Sequence, residues 1–171
     1  MIFASVGSML PFDRFVRAVD EWARDNPQEP VFIQIGEGEY EPQHAPWERI
    51  VPYGEYRQRL ETCSLFVAHV GMGSILQGLE LRKQMLLLPR QAGLREHTTD
   101  HQLHTAARFG HVRGLKIVDD VDALKSGISD LLANPLPEAD GLPPFAPQTT
   151  TANIAHFLRT GRSPLQKGEV I

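Results

Sequence analysis

An α/β fold, with one mostly parallel sheet flanked by helices, is predicted by three features of the chain. Mostly apolar runs recur at 1–6, 31–35, 65–68, 85–88 and 115–118 without the polar alternation of a half-exposed strand. The segments between them repeat their apolar residues at helical spacing. Glycine, proline or asparagine punctuates most of the junctions. Strands buried on both faces and separated by helices require a parallel sheet with right-handed crossovers. A length of 171 residues suffices for one core and a tail.

The elements follow in order. Met1 to Val6 reads as a strand ended by Gly7-Ser8. Pro11 suits a first helical turn, and Phe12, Phe15, Val16, Val19 and Trp22 keep helical spacing until Asn26-Pro27 stops it. Val31 to Ile35 is the second strand, closed by Gly36. Residues 37–49, with Pro42 and Pro46, read as a loop, and a short third strand is expected at Ile50-Val51. A helix over 55–63, a strand over 65–68 and a helix from Ser74 to about Lys83 come next. Met85 to Leu88 is a strand ended by Pro89, and a loop over 90–97 leads to a helix from about Asp100 to Phe109. Leu115 to Val118 is the last strand and Val121 to Leu132 the helix after it. Residues 1–133 therefore form the ligand-binding domain. Six prolines between 135 and 164 mark 134–171 as a connector and tail, with a short helix at 151–158.

Composition excludes several classes of function. With 17 basic against 21 acidic residues, the chain lacks the charge of a nucleic-acid binder. One cysteine, Cys63, rules out an intramolecular disulfide framework and fits a reducing compartment. The longest apolar runs are too short to span a bilayer, and Met1 leads straight into strand residues without a basic leader. A cytoplasmic protein is expected, peripheral at a membrane only through a partner.

The densest motif is His69-Val70-Gly71-Met72-Gly73-Ser74, directly after an apolar strand. Two readings are open. In one, Gly71 and Gly73 remove the Cβ atoms that would hold a ligand away, and the N–H groups of the next helix cradle a diphosphate. In the other, the run is a structural glycine turn. It has neither the lysine of a P-loop nor a GxGxxG pattern, so ATP and NAD are not indicated. Parallel sheets bind ligands beyond the carboxyl ends of their strands, which gathers Gly7-Ser8, Gly36, the 69–74 turn and the 90–102 segment at one edge.

Three stretches taken in order carry a family resemblance. Ile2-Phe3-Ala4-Ser5-Val6-Gly7-Ser8 followed by Pro11-Phe12-Asp13-Arg14-Phe15 is similar to an IFVTVGT…PFDRL start. His69 to Ile75 is similar to an HAGAGSI loop, and Pro89-Arg90, Glu96-His97 and Asp100-His101-Gln102 to a PR…EH…DHQ segment. Over roughly residues 1–130 the chain resembles the C-terminal, nucleotide-sugar-binding domain of glycosyltransferase family 28. Within it, the similarity is to the branch in which that half is a separate chain, including bacterial subunits that move glucuronic acid in exopolysaccharide assembly. The resemblance implies a Rossmann-like sheet corresponding to the C-terminal half of a GT-B enzyme and a UDP-sugar donor, with no tightly bound cofactor. It also implies inverting transfer to a lipid-linked acceptor, with a membrane-associated acceptor-binding subunit as partner. Homodimerisation is the rival assembly, and a non-catalytic nucleotide-sugar-binding or regulatory subunit, or a UDP-sugar isomerase or hydrolase, is the alternative function.

Site residues follow from the resemblance. The diphosphate is expected against Gly71, Met72, Gly73 and Ser74, with Gly7 and Ser8 approaching it. For Ser74 an N-cap role stands beside ligand contact. Gln77 occupies the place where the family holds the ribose hydroxyls with a Glu, although Ser74-x-x-Gln77 also reads as a capping box. Glu80 reads as a solvated helix residue. Arg82 and Gln84 replace a usual Gly and Pro, and Arg82 reaches the sugar only if its loop bends inward. Glu96, Asp100 and Gln102 are expected near the sugar, with Thr99-x-x-Gln102 as an alternative capping box. His69 and Glu96 are the candidate catalytic groups, His69 chiefly as an orienting residue, while the base that deprotonates the acceptor is expected in the partner. His97, His101 and His104 lack the company of a zinc motif, so no metal is expected. Seven Arg or Lys over 82–116 suit a diphosphate or uronate, or form a solvated face.

Overall fold

The computed structural model describes residues 1–139, 141–142 and 145–162; the end of the expected tail, 163–171, lies outside the described residues. Strands Ile2–Ser5 (β1), Val31–Gln34 (β2), Trp47–Glu48 (β3), Leu65–His69 (β4), Met85–Leu88 (β5) and Leu115–Ile117 (β6) form one parallel sheet. Its order is β3-β2-β1-β4-β5-β6. Helices Asp13–Asp25 (α1), Tyr53–Thr62 (α2), Met72–Glu80 (α3), His101–Phe109 (α4) and Val121–Ala133 (α5) connect or follow the strands. The chain divides into Met1–Gly141 and Leu142–Ile171.

Side-chain alternation along each strand explains the unbroken apolar runs. Ile2 and Ala4 of β1 join α1 and α5 in one core, through Phe15, Val16, Val19, Leu124 and Ile128. Phe3 faces the other way and joins Leu60 of α2 and Ile75 and Leu79 of α3. Its ring stacks on Phe66 at 5.7 Å and meets Tyr56 edge-on at 4.9 Å. Full burial of an aromatic or aliphatic side chain of this size stabilises the fold by about 1.5–3 kcal/mol.

Several boundaries differ from the sequence expectation, and two of them bear on the sheet and the site. The third strand lies at Trp47–Glu48, not at Ile50-Val51. A polar residue moves it: Asp20 is fully buried in α1. Its carboxylate accepts from the Tyr40 hydroxyl (2.7 Å) and from the backbone N–H groups of Gln43, His44 and Ala45. Pinned there, the loop delivers Trp47 beside Ile33. Burial pushes the Asp20 pKa up, but these four hydrogen bonds outweigh it and the pKa is lowered.

The second difference is the start of α3, at Met72 with Gly71 as N-cap. Ser74 is consequently the third helical residue, which removes its N-cap role and the Ser74–Gln77 capping box. The far end of α3 closes with Arg82 at φ 53°, Arg82 N–H donating to Leu79 O and Lys83 N–H to Gly78 O. That is a Schellman ending with arginine at the position glycine favours. Arg82 pairs with Glu138 at 3.4 Å rather than bending toward the site. Gln84 binds Ser64 O and accepts from Leu136 N–H, clamping the chain after α5.

In the second unit, Gln148–Thr160 (α6) places Ile154, Phe157 and Leu158 at i, i+3 and i+4, and all three are exposed. No helix among the described residues is long and apolar enough to cross a membrane.

Candidate functional site

The strand order reverses between β1 and β4, and a parallel sheet opens its ligand crevice at that point. β1 empties into Gly7 (φ 76°) and Ser8, β4 into His69 and the glycine turn. Ile75 N–H makes the first backbone bond inside α3, to Gly71 O at 3.0 Å. The N–H groups of Met72, Gly73 and Ser74 are therefore left at the helix N-terminus, where the dipole favours an anion. A Cβ on Gly73 would meet nothing within 4 Å, so the backbone there is open to a ligand.

A cavity of about 540 Å³ lies over this edge. Gly7, Ser8, Gln34, Tyr56, His69, Gly73, Ser74 and Gln77 line it, with an apolar side from Met9 and Ile50 to Tyr53. A smaller one of about 210 Å³ shares Ser8, Met9, His69 and Gly73 with it and adds Gly71, Met72, Arg90, His97, His101 and Gln102. Sequence reasoning missed Gln34, whose amide donates to Gly7 O at 3.1 Å and accepts from Val51 N–H at 2.9 Å. A glutamine within the apolar run Val31 to Ile35 was the available signal, as was an aspartate at a core-facing position of α1 for Asp20.

The space that the missing Cβ of Gly71 leaves is filled from within the protein. A Cβ on Gly71 would overlap the His69 imidazole, and one on Gly7 would lie 2.7 Å from His69 Nε2. The two glycines form a slot for the ring. Inside it Nε2 meets Ser74 Oγ at 3.2 Å and Nδ1 meets Gln102 Nε2 at 3.2 Å. Desolvation, followed by the positive charge of Arg90, pushes the His69 pKa down to about 4. The ring is neutral at pH 7 and both nitrogens are occupied.

The other expected site residues divide sharply. Gln77 lines the larger cavity. Gln102 is 3% exposed and accepts from Arg90 N–H at 3.0 Å while facing His69, so its side chain does not cap α4, and it lines the smaller cavity. Glu96 lines neither cavity. Its carboxylate accepts from Arg14 at 2.7 and 2.9 Å and from Gln91 N–H at 3.0 Å, which ties α1 to the loop after β5. A catalytic role for Glu96 does not follow from that position. Asp100 is likewise outside both cavities and accepts from Ala92 N–H at 2.8 Å.

Of the seven basic residues over 82–116, Arg90 alone lines these two cavities. Its guanidinium is buried over the Phe12 ring and donates to the carbonyls of Val6, Leu10, Pro11 and Glu96. It clips the loop after β1 to the loop after β5, and burial lowers its pKa to about 10. Of the two readings of this basic segment, the lining of the two cavities fits the solvated face for the other six. His97 and His101 meet edge to face at 4.3 Å, and no group of three metal-ligating side chains converges among the described residues.

An all-parallel sheet with an open helix N-terminus at its reversal point is a doubly wound α/β domain whose ligand crevice lies at that point. The chain belongs to the glycosyltransferase family 28 C-terminal domain family, whose model matches residues 1–142. Among solved structures it is similar to ALG13, at 17% identity over 90% of this chain and 93% of that one, with a TM-score of 0.56. It is similar also to the glycotransferase of kitacinnamycin, at 22% identity and a TM-score of 0.53, covering 78% of this chain and 35% of that one. Spinosyn forosaminyltransferase SpnP matches at 17% identity over 78% of this chain and 35% of its own, with a TM-score of 0.52. The chain thus spans about a third of the two larger transferases. These likenesses establish the fold, that of a GT-B-like C-terminal domain. No curated protein matches the sequence.

Proposed function

We propose that this chain is the donor-binding subunit of an inverting glycosyltransferase that takes a UDP-sugar and serves a lipid-linked acceptor held by a membrane-associated partner. The observation that carries the reading is the open N-terminus of α3 at the β1/β4 reversal point, with Gly73 unobstructed over a cavity of about 540 Å³. As the glycosidic bond breaks, charge grows on the leaving diphosphate. The N–H groups of Met72, Gly73 and Ser74 and the Ser74 hydroxyl are fixed donors for that charge, so their contribution rises toward the transition state. Gly7 and Ser8 close the opposite side, and Gln77 stands where ribose hydroxyls fit. His69 acts as a positioning group, and Glu96 ties α1 to the loop after β5, because each is committed to protein partners.

The acceptor hydroxyl still needs a base within hydrogen-bond reach, and we assign it to the partner. Glucuronic acid is the transferred sugar we favour, on the similarity of the 2–15, 69–75 and 89–103 motifs; the chain works at the cytoplasmic face through that partner. Calorimetry with UDP on the wild type and on Gly73→Val tests the donor site, with binding expected in the first and lost in the second. Equal affinity in both folded proteins overturns it. Transfer assays with UDP-glucuronate, UDP-glucose and UDP-N-acetylglucosamine, with and without the co-expressed partner, test the rest. Transfer by this chain alone refutes the partner requirement.

A further inference from the structure

Four groups from four elements meet in line behind the cavity. Arg90 N–H, at the end of β5, donates to Gln102 Oε1 at 3.0 Å. That bond fixes the amide, because only its oxygen can accept from an N–H. The Gln102 NH₂ group therefore faces His69 Nδ1 at 3.2 Å and can only donate to it. A neutral imidazole that accepts at Nδ1 carries its hydrogen on Nε2. Nε2 lies 3.2 Å from Ser74 Oγ, so the ring donates to the serine oxygen. The slot between Gly7 and Gly71 holds the ring in this plane. Ser74 has no other side-chain hydrogen-bond partner among the described residues, and it lines the larger cavity.

We propose that Gln102 is a positioning residue for the anionic ligand, acting through His69: it selects the Nε2–H tautomer, which makes Ser74 Oγ an acceptor from the ring and directs the serine hydrogen into the cavity. The inference rests on the donor-site reading, since the anion it serves is the diphosphate. The charged and titratable groups that face the ring are Arg90 at the end of β5, His97 before α4 and His101 on it; each disfavours a second proton on the imidazole. The Glu96 carboxylate is taken by Arg14. A neutral ring carries one hydrogen, on Nδ1 or on Nε2, and the Gln102 amide, which can only donate to Nδ1, selects Nε2.

The decisive variant is Gln102→Glu. One carboxylate oxygen can still take Arg90 N–H, but the other can only accept, so the hydrogen moves to Nδ1. Nε2 then accepts from Ser74 and the serine hydrogen is withdrawn from the ligand. When the pH falls far enough to protonate the ring, both nitrogens carry hydrogen and Ser74 faces the ligand again. Nitrogen NMR of the histidine side chains in the unliganded wild type should show His69 as the Nε2–H tautomer, and Gln102→Glu should convert it to Nδ1–H or to imidazolium. Calorimetry with UDP should give about a tenfold loss for Gln102→Glu at pH 8.5, recovered on acidification. Ser74→Ala should show a similar loss with no recovery, and the double variant should be no weaker than Ser74→Ala alone.

A wild-type Nδ1–H tautomer, or losses that add in the double variant, overturns the proposal while UDP binding by the wild type keeps the donor site standing. Failure of the wild type to bind UDP removes the donor site and the role of the serine hydrogen with it. If Gln102→Glu does not fold, the wild-type tautomer and the Ser74→Ala affinity still decide the matter.

Discussion

Gly71 and His69 are matched: the missing Cβ of the glycine is the space in which the imidazole of His69 lies, with Nδ1 only 2.7 Å from where that Cβ would be. The first glycine of the turn thus serves the histidine, and the second, Gly73, serves the open edge. The two positions respond differently to substitution. Gly71→Ala must displace the ring from its bonds to Ser74 and Gln102, at a cost of about 1–3 kcal/mol of stability. Gly73→Val adds its branches to empty space at the first helical turn and should change stability by under about 1 kcal/mol while abolishing UDP binding. Urea unfolding and calorimetry on both variants check the contrast; equal destabilisation of the two would contradict it.

Glu96 was legible as a polar residue in the right segment, and its location outside both cavities reassigns it. Glu96→Gln keeps the shape but removes the charge that Arg14 pairs with at 2.7 Å. Side chains 23% and 9% exposed retain much of the interaction, so a loss of about 1–3 kcal/mol in unfolding free energy is expected, with UDP affinity within about threefold of wild type. A tenfold loss of affinity at unchanged stability would return Glu96 to the ligand.

How far the sequence could be read depended on what each signal encodes. Contiguous apolar runs report burial on two faces, and for that reason five strands and the sheet type were readable from them. The two-residue β3 has no such run, because its place is set by hydrogen bonds from the 40–45 loop to Asp20 on another element. That Gly73, Ser74 and Gln77 border the crevice was readable because the signal, a glycine turn directly after an apolar strand, is local. Gln102, Glu96 and Arg90 sit among polar neighbours in sequence, and nothing local distinguishes a side chain turned inward to clip two loops from one turned outward to a sugar.

Acid should weaken the fold through the same histidine. In the unfolded chain His69 titrates near 6.5, whereas desolvation and Arg90 hold the folded value at about 4. Between those values the unfolded state binds a proton that the native state refuses, so the contribution is complete above pH 6.5 and lost as the pH falls toward 4. At about 1.4 kcal/mol per unit it amounts to about 3 kcal/mol. His97 is displaced in the same direction, by desolvation, His101 and Arg90, and Asp20 adds its loss at still lower pH. Urea midpoints from pH 7.5 to 4.5 should fall steeply in the wild type and much less in His69→Gln. Parallel slopes in the two proteins would show that the ring is solvated and titrates normally.

Gln77 lines the larger cavity one turn along α3 from the glycine turn, at the position where the family resemblance implies a Glu. A carboxylate accepts from a hydroxyl about twice as strongly as an amide oxygen does. It also keeps both oxygens as acceptors, so it can hold the two neighbouring hydroxyls of a ribose without the orientational choice an amide must make. Against this stands repulsion from the diphosphate, moderated by the α3 N-terminus between them. Gln77→Glu should therefore tighten UDP by about fivefold while leaving 2′,3′-dideoxy-UDP unchanged or weaker, because only the first ligand offers the hydroxyl donors. Calorimetry with the two nucleotides isolates the ribose contact from the diphosphate contact. If both ligands shift by the same factor, residue 77 acts on the phosphate field and the ribose lies elsewhere in the cavity.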